Sequence, residues 1–329
     1  MEGITEQAKG ALIGLAVGDA LGQPTEGKSR AEIKETWDWI TGFLEEEPVG
    51  SDDTEYAVFN AELLIKYGKS LTSENIAQAW KEKIISQRSG FKGAGFSEMA
   101  AIENLRAGIS PPLSGKHMHS WSDGLAMRVI PFGIVAAGNP DWAAEFAKRD
   151  GEVTHSGEGI LAGKAVAAAV AAGMTGASNE DIFATVLDLL PADSWTYRAI
   201  SQGIKIGSQT EDIGVALEPL SEELIIDYYP WPDLGPEALG LTFGLLAAAG
   251  NNFRDAVLGG VNIGRDTDTI AGIAGAIIGA RIGIKDIPRE WRTQIKEVKG
   301  ICIHTVDGRN LRDTADKLGE LAEQWREDS

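Results

Sequence analysis

Two short acidic runs hold most of the chemistry this sequence can offer. One is Ser51-Asp52-Asp53-Thr54-Glu55, the other Gly264-Arg265-Asp266-Thr267-Asp268-Thr269. Each combines a pair of aspartates with hydroxyl residues, and each stands directly before an apolar, helix-patterned segment. Acidic residues in a first turn ordinarily complement the helix dipole and cap free N–H groups, and either run alone fits that role. The pair is harder to explain that way. The helices that follow are too apolar to lie on a surface, and carboxylates at buried helix starts are desolvated unless they are paired or bind cations. An oxygen-only donor set of carboxylates and hydroxyls suits a hard divalent cation, Mg²⁺ or Mn²⁺.

The elements that must carry these runs read as helices. Tyr56, Phe59, Leu63 and Tyr67 recur on one face, as do Ile182, Phe183, Val186, Leu187 and Leu190, and again Leu311, Ala315, Leu318, Ala322 and Trp325. Ser29 with Glu32 forms a capping box, Ser178 with Asp181 an aspartate variant of one, and Asn139-Pro140 puts proline at a first helical position. Glycine is plentiful, 40 of 329 residues, and it sits among alanines inside apolar segments such as 10–18 and 271–279. Small residues every three or four positions predict helices packed backbone to backbone, each Gly costing about 1 kcal/mol of helix propensity relative to Ala. Only 300–308 offers a short strand, or else a turn. Three Gly-, Pro- and aromatic-rich stretches, 41–50, 107–120 and 228–236, are the longer connections. No repeat or linker divides the chain, so the expectation is one all-α domain over 1–329, a compact bundle of a dozen or more helices.

Charge and composition exclude several functions. With 30 Lys+Arg against 49 Asp+Glu the formal charge is −19, which opposes binding to nucleic acid or to an anionic membrane surface. The longest apolar run, 270–280, falls far short of the ~20 residues that span a bilayer. The lone cysteine, Cys302, has no partner for an internal disulfide or a thiolate zinc site. No secretory or myristoylation signal is visible at Met1-Glu2-Gly3, and a cytoplasmic location is expected.

Taken in order, Gly14-Leu-Ala-Val-Gly18-Asp19-Ala-Leu-Gly22-Gln-Pro-Thr-Glu26-Gly27, Ser51-Asp52-Asp53-Thr54, Met127-Arg128-Val129-Ile130-Pro131, Thr154-His155-Ser156 and Gly264-Arg265-Asp266-Thr267-Asp268-Thr269-Ile270-Ala271 resemble the ADP-ribosylglycohydrolase family, which includes the dinitrogenase reductase-activating glycohydrolases. The resemblance spans essentially the whole chain. It implies an all-α fold with two divalent cations, Mg²⁺ or Mn²⁺, in a cleft. Ser51, Asp52 and Asp53 would ligate them from one helix start, and Asp266, Asp268 and Thr269 from the other. It further implies that Glu26 is a mobile glutamate near the substrate ribose, and that His155 lies near the nucleotide end of the pocket. The chemistry is coherent. Cleavage at a ribosyl C1 builds oxocarbenium-like charge, which carboxylates stabilise, and two metals can hold ribose hydroxyls and acidify a water. Asp53 and Glu26 are both candidates to take or steer that water's proton.

The departures from the family pattern concern the substrate. Where an Asn-Gly pair is common, this chain has Ser122-Asp123-Gly124, and the usual Gly-Gly before Asp-Thr-Asp has become Gly264-Arg265. An aspartate where a diphosphate approaches repels it unless Arg128 or Arg265 pairs with Asp123, and Arg265 is equally a candidate to meet a substrate anion. Ser122, Asp123, Gly124, His155 and Arg265 are therefore the candidate substrate contacts. The favoured activity is release of ADP-ribose from an ADP-ribosylated protein or small molecule. A nucleoside or other ribosyl conjugate without the diphosphate is the alternative, followed by a non-catalytic ADP-ribose reader and a two-metal phosphoesterase. Among lesser features, Asp19 is expected to tether the loop that follows it, His117-Met-His119 is a weak metal motif, and Gly157 to Gly163 reads as close helix packing. The tryptophans read as core or pocket wall. Oligomeric state has no sequence signal.

Overall fold

Gly10, Gly14, Gly18 and Gly22 recur one turn apart on the first helix, Glu2–Gly22, and so form one bare stripe. In the computed structural model, which describes residues 2–87 and 95–327, that stripe lies against the helix Thr267–Ile282. Gly10, Gly14, Gly18 and Gly22 face Gly279, Gly275, Ala271 and Thr267 in turn, so the two helices run antiparallel. A Cβ on Gly10, Gly14 or Gly18 would overlap the carbonyl oxygen opposite. The contact has a consequence for function. It brings Asp19 and the loop after the first helix to the start of the second, where Asp266 and Asp268 stand. A second close pair, Trp195–Gly207 on Gly235–Ala249, sets Gly203 and Gly207 against Gly240 and Gly244, here with the helices parallel.

Seventeen α-helices with short 3₁₀ and π turns account for the described residues, and among these there is no sheet, only three isolated bridges. The expected faces are the buried ones. Tyr56, Phe59 and Leu63 of the Asp52–Tyr67 helix enter the main core, as do Ile182, Val186 and Leu190, and Leu311, Ala315, Leu318, Ala322 and Trp325. Phe183, Leu187 and Tyr67 are only partly covered. Both capping boxes form, and Asn139 caps its helix by accepting from Trp142 N. A smaller core joins the helices Ile213–Leu224 and Gly235–Ala249.

The 300–308 segment is not a strand. Its backbone is claimed by the buried Glu55, whose carboxylate accepts from the N–H groups of Ile301, Cys302 and Ile303 at 2.7, 2.8 and 2.7 Å, and a 3₁₀ turn follows at His304–Val306. Cys302 is buried there. Among the described residues no helix is long and apolar enough to cross a membrane.

Candidate active site

The two acidic runs meet. Thr269 Oγ1 donates to Asp53 Oδ2 at 2.9 Å, joining the start of the Thr267–Ile282 helix to that of Asp52–Tyr67. Ser51 is the N-cap of the latter, its Oγ accepting from Asp53 N at 3.3 Å. Asp19, fully buried in the first helix, accepts from Ser51 N at 2.9 Å, from Thr54 N at 3.1 Å and from the Thr54 hydroxyl. It therefore anchors the start of the Asp52 helix, and not the loop after itself as the sequence suggested. That loop is held by the other run: Gly27 N donates to Arg265 O at 2.9 Å, Arg265 N to Lys28 O at 2.8 Å, and the Thr25 and Thr267 hydroxyls lie 3.0 Å apart. Glu26 is thereby fixed beside the second acidic run. Its carboxylate and those of Asp266 and Asp268 each offer an oxygen within 4.8 Å of the others. Sequence reasoning had set Glu26 apart from the proposed ligands; the backbone pairing of its loop with 264–265 brings it among them.

These groups floor a cleft of about 690 Å³. Glu26, Asp52, Asp53, Asp123, Asp233, Asp266 and Asp268 line it, and the described lining residues include no Lys or Arg. Crowding like charges out of water raises every carboxyl pKa for which a direction is clear. Burial pushes Asp19 up to about 6 and Asp52 up to about 7, the latter with help from the negative field of Asp19 and Glu26. Burial, then the neighbouring carboxylates, holds Asp53, Asp123, Asp266 and Asp268 well above the ordinary range. A dense oxygen-only donor set without a matching cation is of the kind that holds hard divalent metal ions. The cleft is also lined by aromatic and thioether groups: Phe96 stacks on Trp231 at 5.0 Å, the His119 ring meets Trp231 edge-on at 5.0 Å, and Met99 and Met127 line it too.

Comparison with known proteins bears on this arrangement. The sequence profile of the ADP-ribosylglycohydrolase family matches residues 1–328. The chain belongs to that family. It is accordingly a hydrolase of the glycosidase class. Among relatives, a protein of Archaeoglobus fulgidus described only as uncharacterized is 32% identical over 325 residues, 96% of this chain and 97% of that one. The ADP-ribosylarginine hydrolase Tri1 of Pseudomonas putida is 26% identical over 294 residues, 87% of this chain and 73% of its own. A solved structure described as an ADP-ribosylglycohydrolase-related protein complex superposes with a TM-score of 0.68 over 98% of this chain and all of that one, at 23% identity, a likeness of fold.

The family's remaining motif residues fall into two groups. Gly124 and Asp123 line the cleft. Ser122 and His155 lie behind its wall, bonded to one another: Ser122 Oγ is 3.1 Å from His155 Nε2, and Thr154 Oγ1 is 2.7 Å from Nδ1. His155 is 1% exposed, and burial together with Arg128 keeps its pKa well below the usual value, so the ring is neutral. It supports the wall from behind and is not among the residues that line the cleft. Neither arginine pairs with Asp123. Arg128, fully buried, binds Glu98 at 2.6 Å and Asp150 at 2.8 Å. Arg265 binds Glu237 at 2.7 Å and the carbonyl of Trp231 at 2.9 Å, which ties the 228–234 stretch to the second acidic run. Its φ of 69° places it in the left-handed region, so this tie is made at some backbone strain. His117 turns to the Thr154 carbonyl at 3.0 Å while His119 faces the cleft, so the two rings part. Sequence reasoning missed Asp233 and the buried Glu98. Neither belongs to a motif; both reach the site through long-range contacts, as Asp123 N donating to Asp233 O at 3.3 Å shows.

Proposed function

We propose that this chain hydrolyses the C1 glycosidic bond of an ADP-ribosyl group, on a protein or a small molecule, with two divalent cations, Mg²⁺ or Mn²⁺, held by Ser51, Asp52, Asp53, Asp266, Asp268 and Thr269. The observation that carries this reading is the meeting of both acidic runs with Glu26 in one cleft whose described lining has no cationic side chain. Cations bound there supply Lewis-acid polarisation to ribose hydroxyls and to water. The protein's own groups do the rest. Asp19 fixes the turn that presents Asp52 and Asp53, and Thr269 orients Asp53 through its hydroxyl. The ring of carboxylates favours the positive charge that develops at C1 as the bond breaks. Asp53 Oδ2 is engaged by Thr269, whereas Glu26 stands at the exposed side of the cluster. Glu26 is therefore the better placed to take the proton of the attacking water. Phe96 and Trp231 give the cleft a flat face of the kind a purine stacks on, and the ADP-ribosylarginine hydrolase among the relatives supports an ADP-ribosyl substrate. A ribosyl substrate without a diphosphate is the second reading, favoured by the acidic Asp123 and Asp233 in the lining.

The test is a mass-spectrometric screen of ADP-ribosylarginine, other ADP-ribosyl conjugates and nucleosides with chelator-treated protein, before and after Mg²⁺ or Mn²⁺ is restored. Metal-dependent release of ADP-ribose is the expected result. Release of ribose from nucleosides alone establishes the second reading, and no turnover of any ribosyl compound refutes both. The same protein is expected to melt lower after chelation. At free metal 100 times above Kd the stabilisation is about 2.7 kcal/mol, on the order of 5 °C for a domain of this size. An unchanged melting temperature across an Mn²⁺ titration would count against the site.

Glu26→Gln separates chemistry from binding only in part, because its carboxylate lies beside Asp266 and Asp268. Turnover is expected to fall by about 10²- to 10⁴-fold, the usual contribution of a general acid–base group. Metal affinity is expected to weaken modestly, and far less than when a buried aspartate is removed. Steady-state kinetics at saturating Mn²⁺ checks the first effect; wild-type kcat there would remove Glu26 from the reaction.

A further inference from the structure

The stretch that carries Trp231 runs over the surface, with Tyr228 89% and Trp231 40% exposed. Its outer part is therefore held by polar ties more than by burial. At its far end Gly235 N donates to Trp121 O at 3.2 Å, and Asp233 O accepts from Asp123 N. At its near end the ties come from two side chains. Glu237, 2% exposed, accepts from Ile226 N at 2.8 Å and pairs with Arg265. Arg265 Nη2 donates to the Trp231 carbonyl at 2.9 Å, and Nη1 to that of Tyr229 at 3.4 Å. The backbone of the same arginine holds another loop, donating to Lys28 O at 2.8 Å and accepting from Gly27 N at 2.9 Å. Arg265 thus grips the loop of Glu26 and the loop of Trp231, and both of those residues line the cleft. Arg265 itself does not; it borders a separate cavity of about 410 Å³ with Arg30 and Lys34. Its left-handed φ favours glycine, so an arginine stands there against the preference of the backbone.

We propose that Arg265 is a positioning residue that sets the Trp231 face of the cleft relative to Glu26, and so governs how tightly the substrate is held. This rests on the ADP-ribosyl reading above, in which Phe96 and Trp231 take the purine. Contacts made there are remote from C1 and equal in the ground and transition states, so their loss weakens binding and spares kcat. The planar guanidinium fork meets one carboxylate and two carbonyls at once, which a lysine ammonium does not reproduce.

Arg265→Gly removes the fork and keeps a φ that glycine adopts freely. It leaves the Glu237 carboxylate buried without its partner, so the double variant Arg265→Gly with Glu237→Gln serves if the single one is unstable. In the full-length protein, hydrogen–deuterium exchange is expected to quicken over 226–234 and to stay as in the wild type over 23–30. Calorimetric titration with ADP-ribose at saturating Mn²⁺ is expected to show Kd raised at least about tenfold, while kcat on ADP-ribosylarginine stays within about threefold. Arg265→Lys is expected to recover only part of the affinity. Arg30→Ala, which removes a cation from the same outer cavity, is expected to leave ADP-ribose binding unchanged. Wild-type ADP-ribose affinity in Arg265→Gly, or unchanged exchange over 226–234, overturns the proposal. A fall in kcat together with weakened Mn²⁺ binding shows that Arg265 acts through the adjoining Asp266, and overturns it too. Failure of the wild type to bind ADP-ribose overturns the ADP-ribosyl reading itself, and this inference with it.

Discussion

Asp268→Ala is expected to lose divalent-metal binding and turnover together, turnover by about 10³-fold or more, which is several kcal/mol of transition-state stabilisation. Asp268 is 3% exposed and stands with Glu26 and Asp266 at the centre of the carboxylate cluster. Its backbone neighbour is not displaced by the change, because Thr269 remains held through Asp53. A purely structural role predicts a less stable protein under all conditions. A ligand role predicts a different sign. Without metal, Asp268→Ala removes one of several crowded like charges and should be at least as stable as the wild type. With saturating Mn²⁺ only the wild type should gain stability, so the order of the two melting temperatures reverses. Asp268→Ala with a full Mn²⁺ complement and unchanged kcat would end the assignment.

Much of this site was legible because it is written in local patterns. A hydroxyl residue followed by paired aspartates ahead of an apolar segment marks a helix start; Ser51 caps its own helix, and Thr269 joins the two starts by donating to Asp53. The capping boxes at Ser29 and Ser178 were readable for the same reason, since every partner lies within three residues. What was not legible depends on which distant segment reaches a residue first. Glu55 looks like one more first-turn acid, yet it gathers three N–H groups from 301–303 and so turns a possible strand into a loop. Arg128 and Arg265 were both plausible partners for Asp123. Glu98, Asp150 and Glu237, which claim them, carry no motif, and their positions follow from packing alone. Glu26 was recognised, but its place beside Asp266 and Asp268 depends on the backbone pairing of 27–28 with Arg265, between residues more than two hundred positions apart. Local spacing thus specified donors and caps, and tertiary contact specified how each buried charge is met.

The glycine stripe gives the sharpest test of how the fold positions this chemistry. In an exposed helix interior, Gly→Ala stabilises by about 1 kcal/mol through propensity alone. At Gly14 the sign should invert. A Cβ there would penetrate the carbonyl of Gly275, and Gly275 is equally closed to a Cβ by the carbonyl of Gly14, so neither backbone can yield to the other without separating the helices. Forced overpacking of this kind costs about 1–3 kcal/mol and more where backbone must move, so Gly14→Ala is expected to destabilise by about 3 kcal/mol. Urea unfolding would show it as a lower midpoint. Gly214→Ala, at an exposed helical position whose only near neighbour is the Asp212 carboxylate at 3.3 Å, should stabilise by up to about 1 kcal/mol and so controls for propensity. The effect should also reach the site, because this contact sets the distance from Asp19 and Glu26 to Asp266 and Asp268. Gly14→Ala is therefore expected to weaken Mn²⁺ binding without touching any ligand. A raised urea midpoint with wild-type Mn²⁺ affinity would show that the two helices are free to move apart and that the metal site is assembled by something other than their close approach.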